Sequence, residues 1–516
     1  MKLSSFRWRI SDAVQRLMLT TDDRHPVRLA YNTVRMFPPV KALWRWVSGD
    51  NDRWRHVDAY EAAGGVFASG ARGGGAGNAG APSLDFGESD YFRKLIEYAR
   101  ADGGLVTAAS SKVMLVNNGL AAGGAERQII YTANGLKERG CEPVFVGEYL
   151  NQAPGLDFHA EALRATGVGV MGLPRSAKPD SFLYQLVSRP VAVLLAKAPT
   201  KMMLEMLDMV ALIKRQAPAV VHLWQDETSI KHGLAAVIAG APRVVLSGRN
   251  MNPTHFQYFL PHMRDAYRAL AEDERVILSN NSIAGAASYA EWLNMKSSDF
   301  TVVRNGVDPA LWPAPGADAR QTVRARHGLS PAQPVVTGVF RLSPEKQPLV
   351  WLEAAAALRA SIPDAAFFLI GDGPMRDALT QKAQALGLGD ALTVVGETRA
   401  VHDYLAAGDL FLLASRQEGL PNVLLEAQWH GLACVTTDAG GAPEAIQDGE
   451  TGVVVPLVSG NLPQSLADAL ASAWRDEAFR AAAREKGPAF VRQHFSLERM
   501  IDQTLSLYGF QKGPGQ

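Results

Sequence analysis

From Lys112 onward, short apolar runs alternate with stretches of helical spacing, and the alternation is played through twice. This pattern constrains the fold more than any other feature. The first series of predicted strands is 112–118, 141–147, 220–224, 243–247, 276–279 and 300–303. The second is 335–340, 366–370, 392–395, 409–414 and 433–436. Helices are predicted at 87–108, from 119 to about 139, at 202–215 and 346–360, after Pro374 to 386, and at 423–430 and 497–508. Strands that alternate with helices close into a doubly wound parallel sheet. Uninterrupted apolar strands fit a sheet covered on both faces. The chain is therefore read as α/β, with two doubly wound units joined by a Pro-rich link over 312–333. The segments are an extension with linker (1–110), a first unit (111–312), a second unit (313–495) and a last helix with tail (496–516).

Within the second unit, Ser415-Arg-Gln-Glu-Gly-Leu-Pro-Asn-Val-Leu-Leu-Glu-Ala-Gln-Trp-His-Gly431 carries two glutamates, Glu418 and Glu426. Pro421-Asn422 reads as a helix start, since proline suits the first helical turn. Glu418 then lies on the loop at a strand's carboxyl end. Glu426 lies one turn inside the helix and leans back toward its N-terminus. Both carboxylates reach one crevice, beside free N–H groups that favour an anion such as a diphosphate. N–H groups for phosphate and carboxylates for hydroxyls suit a nucleotide-sugar.

This string continues into Gly431-Leu-Ala-Cys-Val-Thr-Thr-Asp-Ala-Gly-Gly-Ala-Pro-Glu444 and Asp448-Gly-Glu-Thr-Gly-Val-Val-Val-Pro456. The whole resembles glycosyltransferase family 4, the retaining transferases of GT-B fold, of the kind found in bacterial polysaccharide biosynthesis. The resemblance implies two Rossmann-like domains facing a central cleft. The first domain holds the acceptor, the second holds the nucleotide-sugar donor, and a C-terminal helix crosses back. It implies that Glu418 binds the transferred sugar and Glu426 the ribose, with Gly419, Leu420, Pro421 and Asn422 in the donor loop. Arg341 and Lys346, in Phe340-Arg-Leu-Ser-Pro-Glu-Lys346, resemble the pair that neutralises the diphosphate, a task suited to a guanidinium fork and a point charge. Gly371-Asp-Gly-Pro374 and Val395-Gly396-Glu397 resemble loops around the nucleotide, so Gly371, Gly373 and Gly396 join the donor set. Gly119-Leu-Ala-Ala-Gly-Gly-Ala-Glu-Arg127 resembles the family's N-terminal loop. It places Gly123 and Gly124 near the diphosphate and Glu126 and Arg127 near the acceptor.

The sequence departs from the family at Val221-His222-Leu-Trp224-Gln225, where many relatives have a second histidine in place of Trp224. His222 reads as a core strand residue. Gln225 and Asp226 are candidates for the missing polar role. Arg249, at another strand end, is read either as a binder of an acidic or phosphorylated acceptor or as a surface residue. Asn305-Gly-Val-Asp308 matches a family string, but a turn that closes the first domain is the simpler role.

The expected activity is transfer of a sugar, with retention, from a UDP- or GDP-type nucleotide-sugar to a hydroxyl of a glycan or lipid-linked acceptor. No cofactor and no metal is expected, the cations and helix starts standing in for one. A catalytically silent subunit, or a nucleotide-sugar epimerase on the same scaffold, are the alternatives. The formal net charge is zero, which offers nothing to nucleic acid. The two cysteines, Cys141 and Cys434, exclude a disulfide framework and fit a reducing cytoplasm. No apolar stretch is long enough to span a bilayer, and the N-terminus has no signal-peptide core. Residues 1–62 are basic, with Trp8, Trp44, Trp46 and Trp54 among arginines. They suit either an anionic membrane surface, and hence a peripheral protein on the inner face, or packing on the main body. Gly64 to Pro82 reads as a flexible linker.

Overall fold

The computed structural model describes residues 90–102, 104–106, 109–150, 155–175, 186–256, 259–307 and 318–510. The basic extension, the Gly-rich linker, residues 308–317 and the tail from Gln511 lie outside them, as do residues 176–185 of the stretch read as irregular over 175–201, whose described part contains helices Arg189–Leu195 and the start of Thr200–Gln216. The first sheet contains β1 (Ala109–Asn117), β2 (Glu142–Gly147), β3 (Gly169–Gly172), β4 (Pro218–Trp224), β5 (Val244–Gly248), β6 (Val276–Asn280) and β7 (Phe300–Val302). The second contains β8 (Val335–Val339), β9 (Ala366–Ile370), β10 (Leu392–Gly396), β11 (Leu410–Leu413), β12 (Ala433–Thr437) and β13 (Gly452–Val455). Their orders are β3-β2-β1-β4-β5-β6-β7 and β10-β9-β8-β11-β12-β13. The strand order reverses between β1 and β4 in one sheet and between β8 and β11 in the other. At such a point neighbouring crossovers leave on opposite faces and open a crevice beyond the strand ends.

The helices around the first sheet are α1 (Tyr91–Ala101), α2 (Gly124–Glu138), α3 (Ala160–Ala165), α4 (Arg189–Leu195), α5 (Thr200–Gln216), α6 (Asp226–Ala239), α7 (Met263–Ala271) and α8 (Ile283–Leu293). Those of the second half are α9 (Ala319–Arg326), α10 (Pro348–Ser361), α11 (Arg376–Ala385), α12 (Val401–Ala407), α13 (Asn422–Trp429), α14 (Leu462–Arg475), α15 (Glu477–His494) and α16 (Leu497–Tyr508). Every residue of β5, β9, β11 and β12 is buried, because helices cover both faces of each sheet. This is why the strands read as unbroken apolar runs. Helix α6 is buried almost throughout, so it shows no polar stripe.

Several expected elements differ. The first helix spans only Tyr91–Ala101. The helix expected from Lys346 begins at Pro348, because Pro344–Lys346 form a 3-10 turn and Gln347 takes a left-handed conformation at φ 50°. The stretch read as a Pro-rich link contains α9, whose buried Arg324 donates to Asp409 Oδ2 at 2.7 Å and to the carbonyl of Ala407 at 3.0 Å. Strands β3 and β13 and helices α14 and α15 were not foreseen. Helix α16 crosses to the first half, where Met500, Ile501, Leu505, Leu507 and Tyr508 enter its core. A Cβ on Gly135 of α2 would lie 2.4 Å from Ile501, so glycine sets how closely these two helices pack.

Candidate active site between the two sheets

The β8–β11 crevice holds the paired groups. Past β8 the chain runs through Arg341 into the 3-10 turn that ends at Lys346. Past β11 it runs through Ser415 to Pro421. Glu418 is 5% exposed, and its Oε1 accepts from Lys346 Nζ at 2.6 Å and from Ser415 Oγ at 2.7 Å. Glu426, 1% exposed on α13, accepts from Arg127 Nη2 at 2.6 Å. Arg127 stands in the first turn of α2, so this ion pair joins the two halves. A buried carboxylate needs such a partner, since an unpaired one costs several kcal/mol. Arg341 is exposed at the same crevice, and its charge acts across the cleft on Glu126.

Below these groups the halves are held by amides. Asn305 Nδ2 donates to the Leu420 carbonyl at 3.0 Å and to Asn422 Oδ1 at 2.7 Å. Asn422 Nδ2 donates to the Gly124 carbonyl at 3.1 Å. Gln128 and the backbone of Gly306 exchange two bonds of 2.9 Å. Val307 accepts from Leu497 N and donates to the Phe495 carbonyl, tying the turn to the crossing segment. The described part of the 305–308 string therefore closes the first unit and clasps the second. A Cβ on Gly419 would lie 2.3 Å from the carbonyl oxygen of Arg249, so here glycine permits the two halves to touch. Gly371 and Gly373 are similarly constrained by protein, with the carbonyls of Phe340 and Leu342 at 2.0 and 2.6 Å from the added Cβ atoms. Bonds from Leu342 N to Asp372 O and from Gly371 N to Gly396 O lock three strand-end loops into one shelf. Pro421 and Gly123 cap α13 and α2.

On the first sheet, Glu126 Oε1 lies 3.4 Å from both Asn117 Nδ2 and Gln225 Nε2. Burial raises its pKa, opposed by these bonds and by Arg341. Gln225 holds φ at 68° at the cap of α6 and faces Glu126. Asp226 does not share the cleft. Its Oδ1 accepts from Tyr267 OH at 3.0 Å and Tyr289 OH at 2.5 Å inside the core, where burial pushes its pKa up to about 6. His222 is a core residue, with Nδ1 2.7 Å from Tyr508 OH, and burial holds it well below the usual imidazole range. Trp224 is fully buried, and the Arg249 guanidinium carbon sits 3.4 Å from the centroid of its ring. Arg249 is thus half-buried at the domain boundary rather than a surface residue.

Sequence reading missed three contributors. Gln128 is a buried polar residue in an apolar helix face, a signal that was present. Ser415 opens the glutamate string, but nothing in the spacing singles it out. His402 of α12 and His430, just past α13, form a ring-nitrogen contact of 2.9 Å near Glu426, brought together without any sequence pattern. Among the described residues no cluster of His, Cys, Asp and Glu is arranged to hold a metal. No described helix is long and apolar enough to cross a membrane.

Residues 122–311 match the model of glycosyltransferase family 4, and residues 319–490 match that of glycosyl transferases group 1. The Vi polysaccharide biosynthesis protein VipC/TviE of Salmonella typhi is 29% identical over 417 residues, covering 77% of this chain and 71% of that protein. The UDP-Gal:alpha-D-GlcNAc-diphosphoundecaprenol alpha-1,3-galactosyltransferase of Escherichia coli is 26% identical over 315 residues, 60% of this chain and 79% of that protein. Among solved structures, Anabaena HepE in complex with UDP and glucose superposes with a TM-score of 0.62 at 21% identity, over 77% of this chain and 99% of that one. WaaG, a glycosyltransferase involved in lipopolysaccharide biosynthesis, gives 0.57 at 16%, over 77% and 99%. At those identities the likeness to solved structures is one of fold, and it agrees with the two sheets and their shared cleft. With both halves matched in chain order by sequence models and the paired sheets of the GT-B fold in place, the chain belongs to the family 4 glycosyltransferases.

Proposed function

We propose that this protein is a retaining glycosyltransferase that moves a sugar from a nucleotide-sugar to a hydroxyl of a lipid-linked or growing glycan in bacterial polysaccharide synthesis. The observation that carries the reading is the crevice past β8 and β11. It holds two buried carboxylates, each on a cation, with a further exposed arginine beside them. Donor binding exchanges partners: the diphosphate takes Lys346 and Arg341, which frees Glu418 for sugar hydroxyls, while Glu426 stays on Arg127 through Oε1 and turns its other oxygen to the ribose. As the glycosyl–phosphate bond breaks, negative charge grows on the departing diphosphate, where fixed cations stabilise it most. The donor phosphate takes the acceptor proton on the same face, so no protein nucleophile is needed. This distinguishes the chemistry from that of glycosidases, which flank the bond with two carboxylates. No step requires a metal, because the two cations and the α13 N-terminus carry the charge. The relatives named for polysaccharide synthesis and for a diphosphoundecaprenol-linked substrate support this setting. A cytoplasmic site of action, on the inner face of the membrane, follows from such an acceptor.

Thermal shifts with UDP-, GDP- and ADP-sugars in EDTA test the donor site. One nucleotide should stabilise the protein and identify the base. Glu418→Ala and Lys346→Ala should each cut turnover by roughly a hundredfold or more while the proteins stay folded. Normal turnover in both would overturn the site. Trp224 in place of a histidine favours one second reading, a transferase-like subunit without turnover. Binding of a donor with no hydrolysis or transfer would select it.

A further inference from the structure

At the ends of β4 and β5, two buried hydrogen-bond donors lack acceptors. Arg249 Nε is buried without a partner, and its Nη1 has only a long contact of 3.3 Å to Asn305 Oδ1. Trp224 Nε1, on the ring that the guanidinium covers, is also buried without an acceptor. The comparably buried arginines differ: Arg127 pairs with Glu426, Arg275 with Asp273 and Arg324 with Asp409. Arg249 has no carboxylate among the described residues. Stacking on Trp224 fixes its plane, so the fork is already oriented. Its backbone touches Gly419, and Asn305 links it to Leu420 and Asn422. The cation therefore stands beside the loop that carries Glu418, on the sugar side of the cleft rather than at the diphosphate cations.

We propose that Arg249, held on Trp224, selects a carboxylate-bearing sugar, so that one substrate of the enzyme is a hexuronic acid unit. The proposal rests on the glycosyltransferase reading above. An unpaired guanidinium against an aromatic face offers two parallel N–H donors, the geometry that a carboxylate accepts. A neutral hexose leaves that charge unpaired on closure, and such a loss discriminates more strongly than a missing apolar contact. The carboxylate can enter on the donor sugar or on the acceptor's terminal sugar, and both place the same group at the same cation.

The experiment uses the full chain and its Arg249→Gln variant. In the donor arm, calorimetry compares UDP-glucuronate and UDP-galacturonate with UDP-glucose and UDP-galactose, and GDP-mannuronate with GDP-mannose. In the acceptor arm, donor turnover is followed with methyl hexuronides against the matching methyl hexosides. The expected result is a preference for the uronate of roughly tenfold or more in one arm, lost in the variant. Arg249→Lys should recover only part of it, because a point charge lacks the fork. Discrimination in the donor arm places the carboxylate on the transferred sugar, and in the acceptor arm on the receiving one. Donors that bind with no uronate preference in either arm overturn the role of Arg249 alone. Failure to bind any of these donors or any ADP-sugar overturns the donor site and this assignment with it.

Discussion

Glu426 shows how one residue serves two partners. It is buried beside Arg127 of the other half, and the same carboxylate is the one proposed to take the ribose. Removing one member of a buried pair leaves the other charge without compensation, which costs more than removing both. Arg127→Ala should therefore destabilise the protein by about 3 kcal/mol. Adding Glu426→Gln should recover most of that loss. Thermal denaturation of the two singles and the double gives the coupling directly. Additive effects would mean that water already screens the pair, since the Arg127 side chain is 29% exposed. At this scale the sequence was informative where chemistry and spacing coincide. The sequence grouped the two glutamates with Arg341 and Lys346, and the structure pairs Glu418 with Lys346 and Glu426 with Arg127. What was not legible is which groups hold one another in the free protein. Lys346 was read as a phosphate ligand, but in the structure it neutralises Glu418. Such pairings depend on two strand ends that lie far apart in the chain.

At the scale of elements, the misreadings share a cause. Helix α9 buries little apolar surface and is fastened by Arg320 and Arg324 to Asp409 and to carbonyls, so hydrophobic spacing could not reveal it. Helix α6 has the opposite character, being buried except at Glu227, and Asp226 at its start looked like a cleft residue. Asp226 instead faces Tyr267 and Tyr289, and burial lifts it from 3.8 to about 6. The folded state then binds a proton more tightly than the unfolded state. Stability is highest below the unfolded value and falls as pH rises from about 4 through 6. The loss by neutral pH is about 3 kcal/mol. Asp226→Asn keeps an oxygen for the tyrosines and removes the titration. It should raise the melting temperature at pH 7.5, change it little at pH 4, and flatten the slope between. A slope unchanged by the substitution would place the titrating group elsewhere.

For the whole molecule, the two sheets were legible because both are covered on each side, and the resemblance implied that they face one cleft with a last helix crossing back, whereas the contacts that fix this placement were not legible. These contacts have no periodic signal: the amides of Asn305 and Gln128 against Asn422, the crossing of α16, and the approach of Gly419 to Arg249. The last of these can be tested alone. The atoms nearest a Cβ on Gly419 are the carbonyl of Arg249 at 2.3 Å and Asn281 Oδ1 at 2.7 Å, both on the first half. A carbonyl in a strand-end loop cannot rotate away as a flexible side chain can. Gly419→Ala therefore either pushes the second half away or displaces the loop that carries Glu418. If the halves separate, each core remains intact, the melting temperature changes little, and small-angle scattering shows a larger radius of gyration. Turnover then falls while nucleotide affinity holds, because the donor groups lie on the second half and the acceptor groups on the first. If the loop moves instead, the radius stays the same and nucleotide-sugar affinity falls with turnover. We expect the first outcome: both walls of the contact belong to rigid strand ends, whereas the clasp between the halves is built from a few amide bonds that can give way.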